Sequence, residues 1–488
     1  MSAPVEARTT AWPAAARLLA RWLDRRERVD ELLESLGGSL TGTERARCQH
    51  LVFGAIRHFG RIDAAIGRLV SHSPRFATRA VLLVAGFELI EARAERGGAP
   101  TRASEAGTTN APDQPTPVVD GRVAKIVHHA VEQTKQLASP AEARMVNAVV
   151  RKLAGVLAEP PPPKLAPADV LAEYFSHPVW LVRSWLAQFG AAATRALLEW
   201  NQQPAPVYAR WRSSFAEPAE DKLSVAAPTE GNPVPVEAAK AAPKAEEPVP
   251  AWFKPTAWAG FFEIPPGHWT EIEPLLQRGR IYLQDPATRI PVELLAPAAG
   301  ELVLDGCAAP GGKSLLIADS MRQGRLVAMD LPGARIGRLK ENLARVPAGV
   351  EVALVQGDLR QDPAGLLREH KLPAQFPAVL LDVPCSNTGV MRHRVDVKWR
   401  LQEGDFRKHP LQQLALLRAA ARLVAPGGRL VYSTCSIDTE ENEHVVQEFL
   451  AGARPGEWKL ENHQISRPWE AGHDGGAAFL LRKNTAPS

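Results

Sequence analysis

Three short segments of this chain combine residue types and spacings suited to group transfer. The first is Asp305-Gly306-Cys307-Ala308-Ala309-Pro310-Gly311-Gly312-Lys313-Ser314. Its small residues let backbone approach a ligand, and a helix opening at Gly-Gly-Lys offers N–H groups that have no partner within the helix. A phosphate-binding loop needs Gly where Cys307 stands, so the G-x-x-x-x-G-K-[ST] pattern fails by one residue. The competing reading is a site for an adenosine-type methyl donor. Asp330 follows Asp305 by 25 residues, and Asp358 ends the next predicted strand. An acidic residue roughly 20 positions past a Gly-rich turn can accept both hydroxyls of a ribose, and a carboxylate at 358 can take the exocyclic amine of adenine. A single Asp at a strand end is more often a helix cap or a solvated turn. Three in successive units would surround a neutral adenosine with acceptors and repel a triphosphate, which weighs against ATP.

The other two segments are Leu381-Asp382-Val383-Pro384-Cys385-Ser386-Asn387-Thr388-Gly389 and Val431-Tyr432-Ser433-Thr434-Cys435-Ser436. An isolated free Cys usually behaves as a small buried hydrophobe. Here two of four cysteines end strands that are commonly neighbours, beside an Asp. Functional groups collect at the carboxyl ends of parallel strands. Two thiols, a carboxylate and a methyl donor suit methylation at C5 of a pyrimidine. A thiolate adding to C6 makes C5 nucleophilic, and an acid holding N3 stabilises the developing charge. C5 then takes the methyl, a base removes the C5 proton, and the sulfur is expelled. The target nucleotide must be unpaired or flipped to reach such a site. A free thiol titrates near roughly pH 8.5, so thiolate supply needs a lowered pKa or base assistance.

These segments fall in a region, from about 280 onward, where short β-branched runs alternate with helical ones. Strands are predicted at 302–304, 325–329, 351–355, 378–381, 429–432 and 477–481, and helices at 313–322, 333–345, 411–424 and 440–451. Such alternation implies βαβ units and a mostly parallel, doubly wound α/β sheet. Residues 1–157 read as one all-helical domain, with apolar positions three to four apart in 14–23, 47–57 and 81–90. That domain is broken by a Gly/Pro/Thr-rich flexible insert at 97–120. Residues 164–290 are expected to form a connecting, RNA-binding segment with helical text at 167–200 and an Ala/Pro/Glu/Lys low-complexity insert at 213–250. The third domain is 291–488, and no internal repeat is visible.

The chain has 488 residues, 45% hydrophobic and 23% charged, enough for two to four domains with their own cores. Its net charge of +4 is compatible with a nucleic-acid partner without requiring one. The longest apolar stretch, 81–90, is too short to span a bilayer. Residues 1–10 contain Glu and Arg and lack an apolar h-region, so a cytoplasmic protein is expected. Cys48, Cys307, Cys385 and Cys435 lie far apart, without the pairing of a metal site or a disulfide framework, so no metal is expected.

At DGCAAPGGKS, LDVPCSNTG and YSTCSI followed by Glu440-Glu441-Asn442-Glu443, the sequence resembles the Sun (Fmu) family of RNA cytosine-C5 methyltransferases. Gln284-Asp285-Pro286-Ala287-Thr288 also fits, with Thr where Ser is usual. The front half resembles the NusB-like RNA-binding domain of the RsmB branch at 47–61, at His128-His129-Ala130-Val131-Glu132 and at 145–151. Asn201-Gln202-Gln203-Pro204 fits the connecting segment. The resemblance implies a Rossmann-like domain using S-adenosylmethionine, preceded by an all-α domain, acting on small-subunit ribosomal RNA; a monomer is expected, with the oligomeric state left open by the sequence. It further implies that Cys307, Ala308, Ala309, Pro310, Gly311, Gly312 and Lys313 line the cofactor. Asp330 would hold its ribose, Asp358 would sit near adenine, and Asp382 would lie between cofactor and base. Cys435 would be the nucleophile, and Cys385 would assist release. Two departures are Val395, where Pro is usual, and Asp474-Gly475-Gly476-Ala477-Ala478-Phe479, which lacks an aromatic pair.

Arg392, Arg394, Lys398 and Arg400 are expected to neutralise RNA phosphates. Trp399 is a candidate stacking platform, although a lone Trp more often packs. Arg57, His58 and Arg61 form either an RNA-facing stripe or an ordinary exposed helix face. The same chemistry on transfer RNA or another ribosomal site would use the same catalytic residues. A non-catalytic RNA-binding assembly factor would need neither thiol nor Asp382.

Overall fold

The computed structural model describes residues 10–38, 40–97, 121–212 and 248–485. The inserts expected at 97–120 and 213–250 therefore lie outside the described residues, apart from 97 and 248–250. The chain forms two compact units, one of Met1–Pro204 with Met391–Glu403 and one of Ala205–Val390 with Gly404–Ser488. The division at Pro204 runs through the 164–290 segment that the sequence sets apart.

The first unit is helical: α1 (Ala11–Arg25), α2 (Val29–Glu34), α3 (Gly42–Arg57), α4 (Phe59–Leu69), α5 (Phe76–Gly97), α6 (Gly121–Leu137), α7 (Pro140–Val156), α8 (Ala168–Tyr174) and α9 (Val179–Gln202). In α1, Trp12, Ala15, Ala16, Leu19, Trp22 and Leu23 recur on one face and are buried, so its apolar stripe drives docking onto α3 and α5. Local chemistry sets the helix starts. Thr41 accepts from the Glu44 N–H, and Ser139 accepts from the Glu142 N–H with Pro140 at the first helical position.

The second unit begins with β1 (Val207–Trp211), β2 (Lys254–Pro255), β3 (Phe261–Ile264), α10 (Trp269–Gln277) and β4 (Ile281–Leu283). These strands make a small antiparallel sheet in the order β2-β3-β1-β4. Arg210 and Arg212 project from it onto Asp319 at 2.6 and 2.7 Å, with all three side chains buried. Next come α11 (Arg289–Leu295), β5 (Leu302–Asp305), α12 (Gly312–Met321), β6 (Gln323–Asp330), α13 (Ile336–Leu343), β7 (Gly349–Gln356), α14 (Pro363–Glu369) and β8 (Phe376–Asp382). The short helix α15 (Val397–Arg400) lies in the segment that rejoins the helical unit. The chain ends with α16 (Asp405–Arg422), β9 (Val424–Thr434), α17 (Glu443–Gly452), β10 (Trp458–Ser466), α18 (Pro468–Ala471) and β11 (Gly476–Lys483).

The large sheet has the order β10-β11-β9-β8-β5-β6-β7. β7, β6, β5, β8 and β9 run parallel, and β11 and β10 close the edge antiparallel. The fold is thus a doubly wound α/β sheet, as its alternating pattern predicts. Both faces are covered, one by the core around Leu304, Val327 and Tyr432 and the other by that around Val303, Leu326 and Val431. Because β5 lies between β6 and β8, the strand order reverses at β5. The Gly-rich turn, Asp382 and Cys435 therefore share one carboxyl edge at the switch point, where ligands bind in such sheets.

Candidate active site

β8 and β9 pair in register, Leu381 with Tyr432 and Asp382 with Ser433. The residues just beyond them are therefore side by side, and Cys385 Sγ and Cys435 Sγ lie 2.9 Å apart. Cys435 lines an open cleft with Asp382, Lys313, Ser433, Asp285 and Thr288, whereas Cys385 is buried and does not line it. The Cys435 thiol donates to Asn387 Oδ1 at 3.3 Å. Asn387 takes up φ 62°, a left-handed conformation Asn tolerates, and its amide also donates to the Cys385 carbonyl at 2.7 Å. Gly389 closes the turn. A Cβ there would fall 2.5 Å from the Gly475 carbonyl and 2.8 Å from that of Cys435, so only glycine permits this approach. The hydrogen bond between Cys435 and Cys385, together with burial, pushes the Cys385 thiol well above the ordinary range.

Asp382 is held from two sides. Lys313 Nζ donates to Oδ2 at 2.6 Å and Ser433 Oγ to Oδ1 at 2.8 Å. Burial disfavours charge on Lys313, but the Asp382 carboxylate, with Cys435 and Asp305 beyond it, outweighs burial and keeps the ammonium above its usual range. Asp305, enclosed at the end of β5, accepts from Ser314 Oγ at 2.6 Å. Burial raises its pKa to about 7.

The Gly-rich turn runs from Gly306, whose N–H is held by the Leu380 carbonyl, to Gly311 at the N-cap of α12. Gly311 has φ 105°, and a Cβ there would press on Asn342 and Leu339 at 3.0 Å. Asp330 folds back on the turn, with one carboxylate oxygen accepting from Ala309 N–H and the other from Leu331 N–H, each at 2.7 Å. Asp358 pairs with Arg360 at 2.7 Å, and that hydrogen bond holds its carboxyl below the usual range. Burial raises the Cys307 thiol well above its usual range. A turn of small residues at a helix N-terminus, followed by acceptors at the ends of β6 and β7, is a donor and acceptor set that fits adenosine and its ribose.

The sequence reading places Cys385, Cys435 and Asp382 together, and they are together. It does not single out Ser433 as a partner of Asp382, nor Asn387 as a partner of Cys435. Both stand within motifs it quotes, and only the in-register pairing of two distant strands reveals their roles.

The basic segment after Val390 requires a correction. Lys398 is not an exposed cation: it is 1% exposed and donates to the Arg57 carbonyl at 3.0 Å. Burial, then Arg57, pushes its pKa well below the ordinary lysine value. Trp399 packs edge-on against Phe59 and donates to the Ile56 carbonyl at 3.0 Å, so packing accounts for it. Arg400 pairs with Asp396 at 2.7 Å. Arg392 lies over the Trp200 ring and donates to the Pro204 carbonyl at 2.8 Å. Of the four, Arg394 is exposed. The stripe expected from Arg57, His58 and Arg61 is also not a free face. Arg57 is buried, burial lowers the His58 pKa strongly, and Arg61 donates to the Leu157 carbonyl.

Known proteins match this chain over both units. The family described as 16S rRNA methyltransferase RsmB/F matches residues 292–480. Ribosomal RNA small subunit methyltransferase B of Sodalis glossinidius (strain morsitans) is 30% identical over 443 residues, 90% of this chain and 88% of its own. The probable ribosomal RNA small subunit methyltransferase B of Bacillus subtilis (strain 168) is 33% identical over 328 residues, 66% of this chain and 67% of its own. Among solved structures, PH0851 shares the fold with a TM-score of 0.67 at 22% identity, covering 99% of this chain and 100% of that one. Among the described residues no helix is long and apolar enough to cross a membrane. Identity of this extent along nearly the whole of both sequences places the chain in the RsmB/F family of S-adenosylmethionine-dependent ribosomal RNA methyltransferases.

Proposed function

We propose that the protein methylates C5 of a cytosine in small-subunit ribosomal RNA through a covalent bond between Cys435 and C6. The observation that carries this reading is that Cys435, rather than Cys385, faces the cleft that Asp382 and Lys313 also line. S-adenosylmethionine supplies an electrophilic methyl group when bound. The turn from Cys307 to Lys313 is the proposed cradle for it, with Asp330 and Asp358 as ribose and adenine acceptors. Cys435 adds as thiolate to C6. The Lys313–Asp382 pair holds the N3 side of the ring and stabilises the charge that develops there. C5 takes the methyl group and for a moment carries both methyl and proton. Loss of that proton to a base returns the C5–H electron pair to the C5=C6 bond, and the C6–S pair leaves with sulfur, regenerating the Cys435 thiolate. Cys385 is assigned to this release. Once the Cys435 sulfur is bonded to carbon it no longer competes for a proton, and the Cys385 thiol is the group beside it. The small-subunit substrate is supported by the names of the relatives that cover most of this chain.

The test is transfer of labelled methyl from S-adenosylmethionine to unmodified small-subunit RNA. The wild type should place label in 5-methylcytosine. Cys435→Ala should abolish transfer while cofactor binding persists, and Cys385→Ala should trap a covalent protein–RNA adduct. Turnover by Cys435→Ala would reassign the nucleophile, and normal turnover by Cys385→Ala would remove the release role.

A further inference from the structure

The peptide that carries Cys385 is held on both flanks by side chains from outside its own loop. On one side, Gln413 Nε2, from α16, donates to the Pro384 carbonyl at 3.0 Å. On the other, the Ser386 N–H donates to Glu441 Oε2 at 3.0 Å. The two side chains are joined to each other, because Gln413 Nε2 also donates to Glu441 Oε2 at 2.7 Å. His409 Nδ1 lies 3.5 Å from the same oxygen. Glu441 and Gln413 are both 0% exposed. The clamp is anchored in turn to β9, the strand just before Cys435, since Tyr432 Oη donates to the Glu441 carbonyl at 2.6 Å.

A buried carboxylate is costly unless donors satisfy it. Burial pushes the Glu441 pKa up, but His409, Ser386 and Gln413 together outweigh it, and the group stays below the usual carboxylate range. The bonds converge on one oxygen. That oxygen, Glu441 Oε2, accepts from both the Ser386 N–H and Gln413 Nε2, which fixes the carboxylate against one backbone N–H. The Glu441 carboxylate and the Gln413 amide do not line the cleft, and their hydrogen bonds go to the Cys385 peptide, while the Glu441 charge also raises the Cys385 thiol's pKa.

We infer that Glu441 and Gln413 are positioning residues that fix the Cys385 thiol beside Cys435 for release of the methylated product. This rests on the release role given to Cys385 above. Glu441→Gln and Gln413→Met should leave single-turnover methyl transfer within about threefold of wild type. They should slow multiple turnover by about tenfold or more, the effect expected for losing a charged hydrogen bond in one step. Covalent protein–RNA adduct, read on a denaturing gel, should accumulate as in Cys385→Ala, with S-adenosylmethionine binding retained as the control for folding. If Glu441→Gln fails to bind cofactor, Gln413→Met decides. If both fail, the residues hold the fold rather than the thiol, and the inference is overturned. Equal loss of single and multiple turnover overturns it as well. Adduct in Cys385→Ala but in neither clamp variant removes the clamp and leaves the release role standing. No adduct in Cys385→Ala removes the release role, and the clamp with it.

Discussion

Cys435 and Cys385 follow the ends of neighbouring parallel strands, yet burial separates their surroundings, and the same distinction governs the carboxylates around them. Asp382 is compensated by Lys313 and Ser433. Asp305 accepts from the Ser314 hydroxyl on one oxygen and is 1% exposed. Its pKa is accordingly raised to about 7 from the ordinary 3.8. A raised carboxyl pKa means that the folded state binds the proton more tightly than the unfolded chain. The associated stability is complete below about pH 4 and is lost as pH rises through about 7. Asp305→Asn removes this titration. Melting curves between pH 4 and 8 should show the wild type falling relative to the variant, by about 4 kcal/mol at most. Parallel curves would show that Asp305 does not carry the shift.

Among the elements, those that alternate strongly in sequence were the legible ones. The cores of β5, β6, β7, β8, β9 and β11 follow from β-branched runs between helices, because strands covered on both faces read as short apolar segments. β10 was not expected: Leu460, Glu461, Asn462, His463 and Gln464 are exposed, so this edge strand has no apolar face to announce it. The small sheet was missed for a different reason. β1 buries Arg210 between apolar residues, and its ion pair with Asp319 lies 109 positions away. The burial of α15 is hidden because its partners are also remote, with Lys398 bonded to Arg57 across 341 positions and Trp399 to Ile56 across 343. Lysine is rarely fully buried, so a basic run beside a catalytic motif reads as a phosphate contact. The packing makes a separable prediction. Trp399→Ala should cost the helical unit about 2–4 kcal/mol in thermal unfolding, as for loss of a large packed aromatic. Lys398→Met, of similar length, should leave the salt dependence of RNA binding unchanged. Arg394→Ala should reduce the slope of log K against log salt by about 1 if that exposed side chain meets a phosphate. A reduced slope for Lys398→Met would return the lysine to the RNA interface.

For the whole molecule, charge supplies little of the recognition. Its 58 basic and 54 acidic residues nearly cancel, so the long-range attraction to a polyanion is weak and affinity has to come from local sites. Cofactor binding can be followed apart from RNA through its effect on stability, because a ligand that binds only the folded state stabilises it by RT ln(1 + [L]/Kd). S-adenosylmethionine at about 100 times its Kd should add about 2.7 kcal/mol, a rise of several degrees in melting temperature. Asp330 meets the Gly-rich turn through one carboxylate oxygen, at Ala309 N–H, and its own following peptide, Leu331 N–H, through the other, so Asp330→Asn turns one acceptor into a donor facing an N–H. If this weakens the cofactor tenfold, the same concentration adds only about 1.4 kcal/mol, roughly half the shift. Cys435→Ala does not alter the turn and should keep the full shift while losing methyl transfer. A full shift in Asp330→Asn would take the ribose role from that carboxylate. A lost shift in Cys435→Ala would mean that the thiol helps to hold the cofactor, and its loss of activity could then no longer be assigned to attack on the ring.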